Sequence, residues 1–209
     1  MNYNFNRVFQ TETKDMKIIT ISGASGSGKS TLAKEIERYL PGSLLLSLDR
    51  YYLSKAEQIE INGFYNFDYP TAIDNALLKE HLSALKSDGT ANVPVYDFTV
   101  SERAGYEQVS AAGTIIIDGL FSGSLLSAEA DISIFVDVDL ELAFKRRIER
   151  DMSERGRTLE SVTEQYNRDV LPAYHDHIAP LKSTADMVLL NNTSIDLLLK
   201  EAEKILALL

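Results

Sequence analysis

Gly23-Ala24-Ser25-Gly26-Ser27-Gly28-Lys29-Ser30-Thr31 has the spacing GxxxxGK[ST], set between an apolar run at 18–21 and a helical pattern. That spacing has a specific chemical use. Glycines let the backbone turn tightly enough to aim successive N–H groups at phosphate oxygens, and the helix that follows adds its positive end. Lys29 then reaches the β and γ phosphates of a nucleotide, and the Ser30 hydroxyl ligates Mg²⁺. Two acids close other apolar runs, Asp49 after 43–48 and Asp118 after 114–117. Phosphoryl transfer asks a protein for positioning, charge neutralisation and a carboxylate facing the acceptor hydroxyl. Asp49 reads as that base, and Asp118 resembles a Walker B acid that holds Mg²⁺ directly or through water. Either acid alone is also a good helix cap or turn residue. Their place at strand ends beside a phosphate loop favours the catalytic role.

Cations complete the set. Lys145, Arg146, Arg147, Arg150, Arg155 and Arg157 crowd one short stretch. Arg147 and Arg150 are three apart and share a helical face, while Arg155 and Arg157 bracket Gly156 as a hinge. A cation brought over a γ-phosphate accelerates transfer; the plainer reading of such a run is a solvated basic surface. His175 and His177 are two apart and point different ways on a helix, so they do not read as metal ligands. His81 reads as a packed or surface residue.

The elements that must position these groups follow from periodicity. Residues 16–22 are a β-branched run of the kind buried on both faces of a parallel sheet. Leu32, Ile36, Tyr39 and Leu40 recur at helical spacing until Pro41-Gly42. The stretch 50–71 has little periodicity and many aromatics and reads as a substrate-side segment. A helix at about 73–86 follows, then two strands at 92–98 and 106–109 forming a hairpin off the main sheet. Strands at 114–119 and 131–137 come next, then a helix with Leu140, Phe144 and Ile148 on one face. A mobile arginine-bearing lid is expected at about 151–160, a helix from about 160 through Pro172, and a strand at 187–190. Thr193 or Ser194 caps a leucine-rich terminal helix. Strand and helix alternate throughout, which predicts an open α/β sheet with right-handed crossovers. The expected fold is therefore a three-layer α/β/α phosphate-loop domain over 16–209, preceded by an extension at 1–15.

Composition narrows the partners. The chain has 209 residues, 44% hydrophobic and 25% charged, enough for one substantial core. A formal charge of -10 sets the overall field against a nucleic-acid partner but permits a small anion held by local cations. There is no cysteine, which excludes disulfides and thiolate chemistry. No window has the length of apolar sequence that a membrane span needs, and 1–15 lacks the apolar centre of a signal peptide. A cytoplasmic protein with a small-molecule substrate is expected, and a homo-oligomer is compatible with the sequence.

The sequence resembles the uridine/cytidine kinases, within the wider uridine kinase and phosphoribulokinase group of P-loop kinases, over about 16–190. Besides the phosphate loop, Leu48-Asp49-Arg50-Tyr51-Tyr52 is similar to the family's DxFY and Asn66-Phe67-Asp68-Tyr69-Pro70 to its NFDHP. Pro94-Val95-Tyr96-Asp97-Phe98 matches too, as does Arg147 with Asp151-Met152-Ser153-Glu154-Arg155-Gly156-Arg157, similar to RDxxERGR. The resemblance implies ATP and Mg²⁺ as cofactors, with Asp49 as catalytic acid. It implies a nucleoside pocket lined by Tyr52, Asp68, Tyr96, Arg147, Arg157 and Gln165, with Asp68 on ribose hydroxyls. Arg150 and Arg155 fall on the lid and phosphate side, and Asp186 near the ATP. Two positions depart from the pattern: the family's pyrimidine-reading histidine falls at Ser101, and its Glu-Gly is Asp118-Gly119.

Phosphorylation of the 5′-hydroxyl of uridine or cytidine is the leading expectation. The same machinery acting on another ribosyl or sugar-like acceptor is the second, and a nucleotide-sensing switch the third. The guanine-reading NKxD signature is absent, and the aromatic stretch suits a substrate pocket better than a switch.

Overall fold

A computed structural model describes residues 16–193, 198 and 200. The extension at 1–15 lies outside them, as does the terminal helix apart from Leu198 and Lys200. Five parallel strands form the central sheet in the order β2-β5-β1-β6-β7, namely β1 Lys17–Gly23, β2 Leu44–Ser47, β5 Thr114–Asp118, β6 Ile132–Asp137 and β7 Met187–Leu190. Their side chains alternate between two cores. Ile18, Leu46, Ile115, Ile117 and Phe135 pack on one face with Leu78, Leu82 and Leu85 of α3 (Asn75–Asp88). Ile19, Ile21, Ile116, Ile134 and Val136 pack on the other with Leu32, Ala33 and Ile36 of α1 (Lys29–Tyr39). Fully burying each such side chain contributes about 1.5–3 kcal/mol, and the three layers follow from covering both apolar faces.

The expected hairpin is present as β3 (Thr90–Asp97) and β4 (Glu102–Ser110), a separate two-stranded sheet. Arg50 ties it to the turn after β2, donating to the Pro94 carbonyl at 3.1 Å and pairing with Glu107 at 2.7 Å. Arg103 pairs with Asp74, the N-cap of α3, at 2.9 Å.

Two expectations change. The stretch 50–71 is not irregular throughout, because it contains α2 (Lys55–Asn62), started by a capping box between Ser54 and Glu57 and stopped by Gly63 at φ 80. The inner line of α5 (Leu140–Glu154) is Ala143, Arg147 and Asp151, with Leu140, Phe144 and Ile148 only partly buried. Charge rather than leucine faces inward there. The span expected as a lid begins inside the last turns of this helix. After it come α6 (Leu159–Gln165) and a π-helical turn at Tyr166–Val170, then α7 (Leu171–Ala173) and a second π-helical turn at Tyr174–Ile178. A short α4 (Ser122–Leu125) follows β5.

Candidate active site

β1 runs directly into the loop, and α1 begins at Lys29 with Gly28 as its N-cap at φ 96. A side chain at Gly28 would meet Asn191 Nδ2 at 2.4 Å, so both space and backbone angle demand glycine. Asn191 explains the crowding: only 3% exposed, it donates from Nδ2 to the Ser27 carbonyl at 2.7 Å and braces the loop from the end of β7. Lys29 is buried, and its ammonium donates to the Ala24 carbonyl at 2.9 Å. Ser27 is buried with an unpartnered hydroxyl, whereas Ser30 and Thr31 are exposed on the first turn of α1.

The two acids stand on neighbouring strands. Ser47 of β2 is in register with Asp118 of β5, and Ile21 of β1 is in register with Asp118 from the other side. Asp49 follows on a 3₁₀ turn, Leu48–Tyr51, whose N-cap Ser47 accepts from the Asp49 N–H at 3.3 Å. Gly119 permits that turn to close, since a Cβ there would strike Leu48 Cβ at 2.3 Å. Asp118 is buried and its Oδ1 has no hydrogen-bond partner. Burial, then the negative field of Asp118, push the Asp49 acid up to about 6, against the pull of Lys29, Arg155 and Arg150. Desolvation lowers the Lys29 ammonium, which Asp118 and Asp49 partly restore. Lys29, Asp49, Asp118, Arg150 and Arg155 thus share one field at the carboxyl edge of the sheet.

A second cluster lies beside the first. Tyr52 packs edge-on against Phe67 at 5.3 Å and tilts against Tyr96 at 5.7 Å, and Tyr96 meets Phe98 at 5.3 Å. Burial, reinforced by Asp49 and then Asp68, raises the Tyr52 phenol well above its ordinary value. Burial pushes the Tyr96 phenol up to about 12, opposed by the side chain of Ser101 at the hairpin turn, where φ is 60. Asp68 is 5% exposed and faces Arg147 Nη1 at 3.5 Å; burial raises its acid while Arg147 opposes the shift. Arg147 donates to Gln165 Oε1 at 3.3 Å, Arg157 donates to the same oxygen, and Arg157 also donates to the Ser161 hydroxyl at 2.8 Å. A narrow cleft lined by Ala24, Ser25, Leu140, Tyr166 and Tyr174 runs from the loop to Asp68.

One expected member stands elsewhere. Asp186 precedes β7, at the amino edge of a parallel sheet whose carboxyl edge carries the loop, and it accepts from Ser133 N and Oγ at 2.8 and 2.6 Å. The residue of this region that does touch the loop is Asn191, just past the other end of β7. Three participants were not singled out from sequence. Gln58 of α2 is 1% exposed and links the Leu53 carbonyl (3.1 Å) to the Asn66 N–H (2.9 Å), which sets the turn carrying Asp68. Asn191 is the second. Asp151, with no exposed surface, is the third, and its signal was an aspartate spaced among arginines at 147, 150, 155 and 157. His81 is buried, with its Nδ1 3.1 Å from the Tyr51 hydroxyl, and the described residues contain no cluster of three metal-ligating side chains.

Comparisons with known proteins agree with this fold. A solved phosphoribulokinase from Rhodobacter spheroides superposes with a TM-score of 0.64 at 21% identity, covering 88% of this chain and 73% of that one. A D-glycerate 3-kinase from Cryptococcus neoformans gives 0.64 at 20%, covering 85% and 86%. In sequence, the uridine kinase of Pasteurella multocida is 39% identical over 189 residues, 86% of this chain and 88% of that protein. The model of the Phosphoribulokinase / Uridine kinase family matches residues 18–197, from the first strand past the last. Loop, strand-end acids and arginine helix all fall within that match, and the chain belongs to the phosphoribulokinase/uridine kinase family as one of its kinases.

Proposed function

We propose that this kinase transfers the γ-phosphoryl group of ATP to the 5′-hydroxyl of uridine or cytidine, in the cytoplasm. Asp49 takes the hydroxyl proton as that oxygen attacks the γ-phosphorus, and the bond to the bridging oxygen breaks to release ADP. Lys29 and the loop N–H groups hold the β and γ phosphates, while Arg150 and Arg155 neutralise charge that develops on the transferred group. Ser30, the unpartnered Asp118 Oδ1 and the Asp49 carboxylate form a set of hard oxygen donors, which fits Mg²⁺. The ion's contribution, when bound, is to offset phosphate charge. Asp68, flanked by Arg147 and Gln165, suits ribose hydroxyls, and Tyr52 and Tyr96 supply the wall for a flat ring.

The observation that supports this reading most is the position of Asp49, on a turn between the phosphate loop and the aromatic cluster, with its acid raised to about 6. A panel of nucleosides, sugars and sugar phosphates, assayed by ADP release, tests it. Turnover with uridine and cytidine is expected; turnover confined to a non-nucleoside would replace the acceptor and keep the kinase.

Ser101 favours that second reading, in which the acceptor is another sugar-like compound. Its short side chain stands where the resemblance expects a base-reading imidazole, and a missing hydrogen bond to a base costs discrimination. Histidine tolerates a positive φ better than most residues. Ser101→His is therefore expected to raise kcat/KM for uridine by about tenfold or more relative to sugars, measured in the same assay. An unchanged ratio would remove position 101 from base recognition.

A further inference from the structure

Asp151 is a fully buried carboxylate surrounded by four arginines. Its two oxygens face different groups. Oδ1 accepts from Arg150 Nε at 2.9 Å and Nη2 at 2.8 Å, with Arg155 Nη1 at 3.5 Å. Oδ2 faces Arg147 Nε at 3.6 Å and Arg157 Nη1 at 3.8 Å, and both Oδ2 and Arg147 Nε lack a hydrogen bond. The Arg157 N–H returns to the Asp151 carbonyl at 3.1 Å, so the chain beyond Gly156 is tied to the same residue.

Between them, the arginines on the two oxygens reach both parts of the site. Arg150 acts on Asp49 and Lys29 at the phosphate loop, where Arg147 also reaches Lys29, while Arg155 acts on Asp49 and lies over the Phe98 ring at 5.4 Å. Arg147 and Arg157 converge on Gln165, and Arg147 on Asp68, beside the aromatic cluster. A carboxylate shares one charge between two oxygens. A phosphate arriving at Lys29 competes with Oδ1 for Arg150, which offers the same bidentate fork to either anion. When Arg150 turns to the phosphate, the freed charge draws Arg147 and Arg157 from loose ion pairs into hydrogen bonds at Oδ2.

We infer that Asp151 couples the two binding sites: occupation of the phosphate loop is transmitted through its carboxylate to the arginines that face the acceptor. The inference rests on the proposed assignment of the two clusters to donor and acceptor. The plainer role for Asp151, a buried ion pair that holds the end of α5, predicts lost stability but no change in coupling. Equilibrium binding of uridine, with and without the non-hydrolysable β,γ-imido analogue of ATP and Mg²⁺, separates the two. In the wild type the analogue is expected to tighten uridine about fivefold or more, and uridine to tighten the analogue by the same factor. In Asp151→Asn, which keeps the shape and removes the charge, the coupling factor falls below about twofold, whatever the affinity of each ligand alone. Full coupling in Asp151→Asn overturns the inference, as does absence of coupling in the wild type, or a variant that loses both affinities and keeps the factor. Should Asp151→Asn not fold, Arg150→Lys and Arg157→Lys are combined instead. Loss in the double variant no greater than in either single supports one shared path, and additive losses overturn it. Wild-type turnover of uridine is measured first in the same preparation. If uridine is not phosphorylated the acceptor assignment fails by itself, and coupling is then read with the compound that releases ADP in the panel.

Discussion

Asp49 carries a conflict between function and stability. Its acid is lifted from 3.8 to about 6, so the folded, ligand-free protein binds that proton more tightly than the unfolded chain. The stability this contributes is fully present below about 3.8 and is lost as pH rises through about 6, leaving an ionised group that opposes folding at neutral pH. Asp49→Asn is expected to lower kcat by about 10²–10⁴ while raising the stability of the ligand-free protein at pH 7 by on the order of 1 kcal/mol after solvent screening. Steady-state turnover and denaturant melts of the same preparation check both. In the wild type, kcat/KM is expected to fall as pH drops below about 6, because Asp49, as the proposed base, must be ionised. A flat profile from pH 5 to 8 would place the limiting proton elsewhere.

At the scale of elements, α2 is the piece that connects a local signal to the site. Gln58 reaches from its buried side to the backbone before Asp68, so Gln58→Ala is expected to raise KM for the acceptor about tenfold by letting that turn drift. KM for ATP, set at the other end of the cleft, should not move. Equal changes in both would mean that α2 supports the whole domain rather than one pocket. This helix also marks where reading the chain stopped short. The parallel strands, the loop and both strand-end acids were legible because buried β-branched runs and strand-end loops are local patterns. The helix at 55–62 was not, since it buries only Gln58 and shows no apolar stripe; the Ser54–Glu57 capping box was its one clear mark. Arg147 was expected in the pocket through the family resemblance alone and Asp151 was legible only as a charge, because a helix normally turns its charges out. Asp186 was expected near ATP through the family resemblance; it stands at the amino edge of β7, and Asn191, at the other end of that strand, is the residue that touches the loop.

Over the whole molecule, charge is distributed unevenly. A chain of formal charge -10 gathers Lys29, Arg147, Arg150, Arg155 and Arg157 at one edge of its sheet, where anions meet a locally favourable field. A ligand that binds only the folded state stabilises it by mass action, about 2.7 kcal/mol at one hundred times its Kd. ATP with Mg²⁺ at that concentration is therefore expected to raise Tm by roughly 5–10 °C for a chain of this size, read by scanning calorimetry. The rise should be largely lost in Lys29→Ala. A shift that survives that substitution would point to nucleotide held away from the loop.

The bond from Asn191 to the Ser27 carbonyl has a consequence for how the protein comes into being. The nucleotide cradle is encoded before residue 32, yet its neighbouring strands β5 and β6 begin at Thr114 and Ile132, and its brace is not translated until residue 191. On the ribosome, the emerging chain carries the glycine-rich segment for most of its synthesis without the partners that shape it. ATP can assist maturation only as a late ligand, and C-terminal truncations that stop short of β7 should emerge unable to retain it.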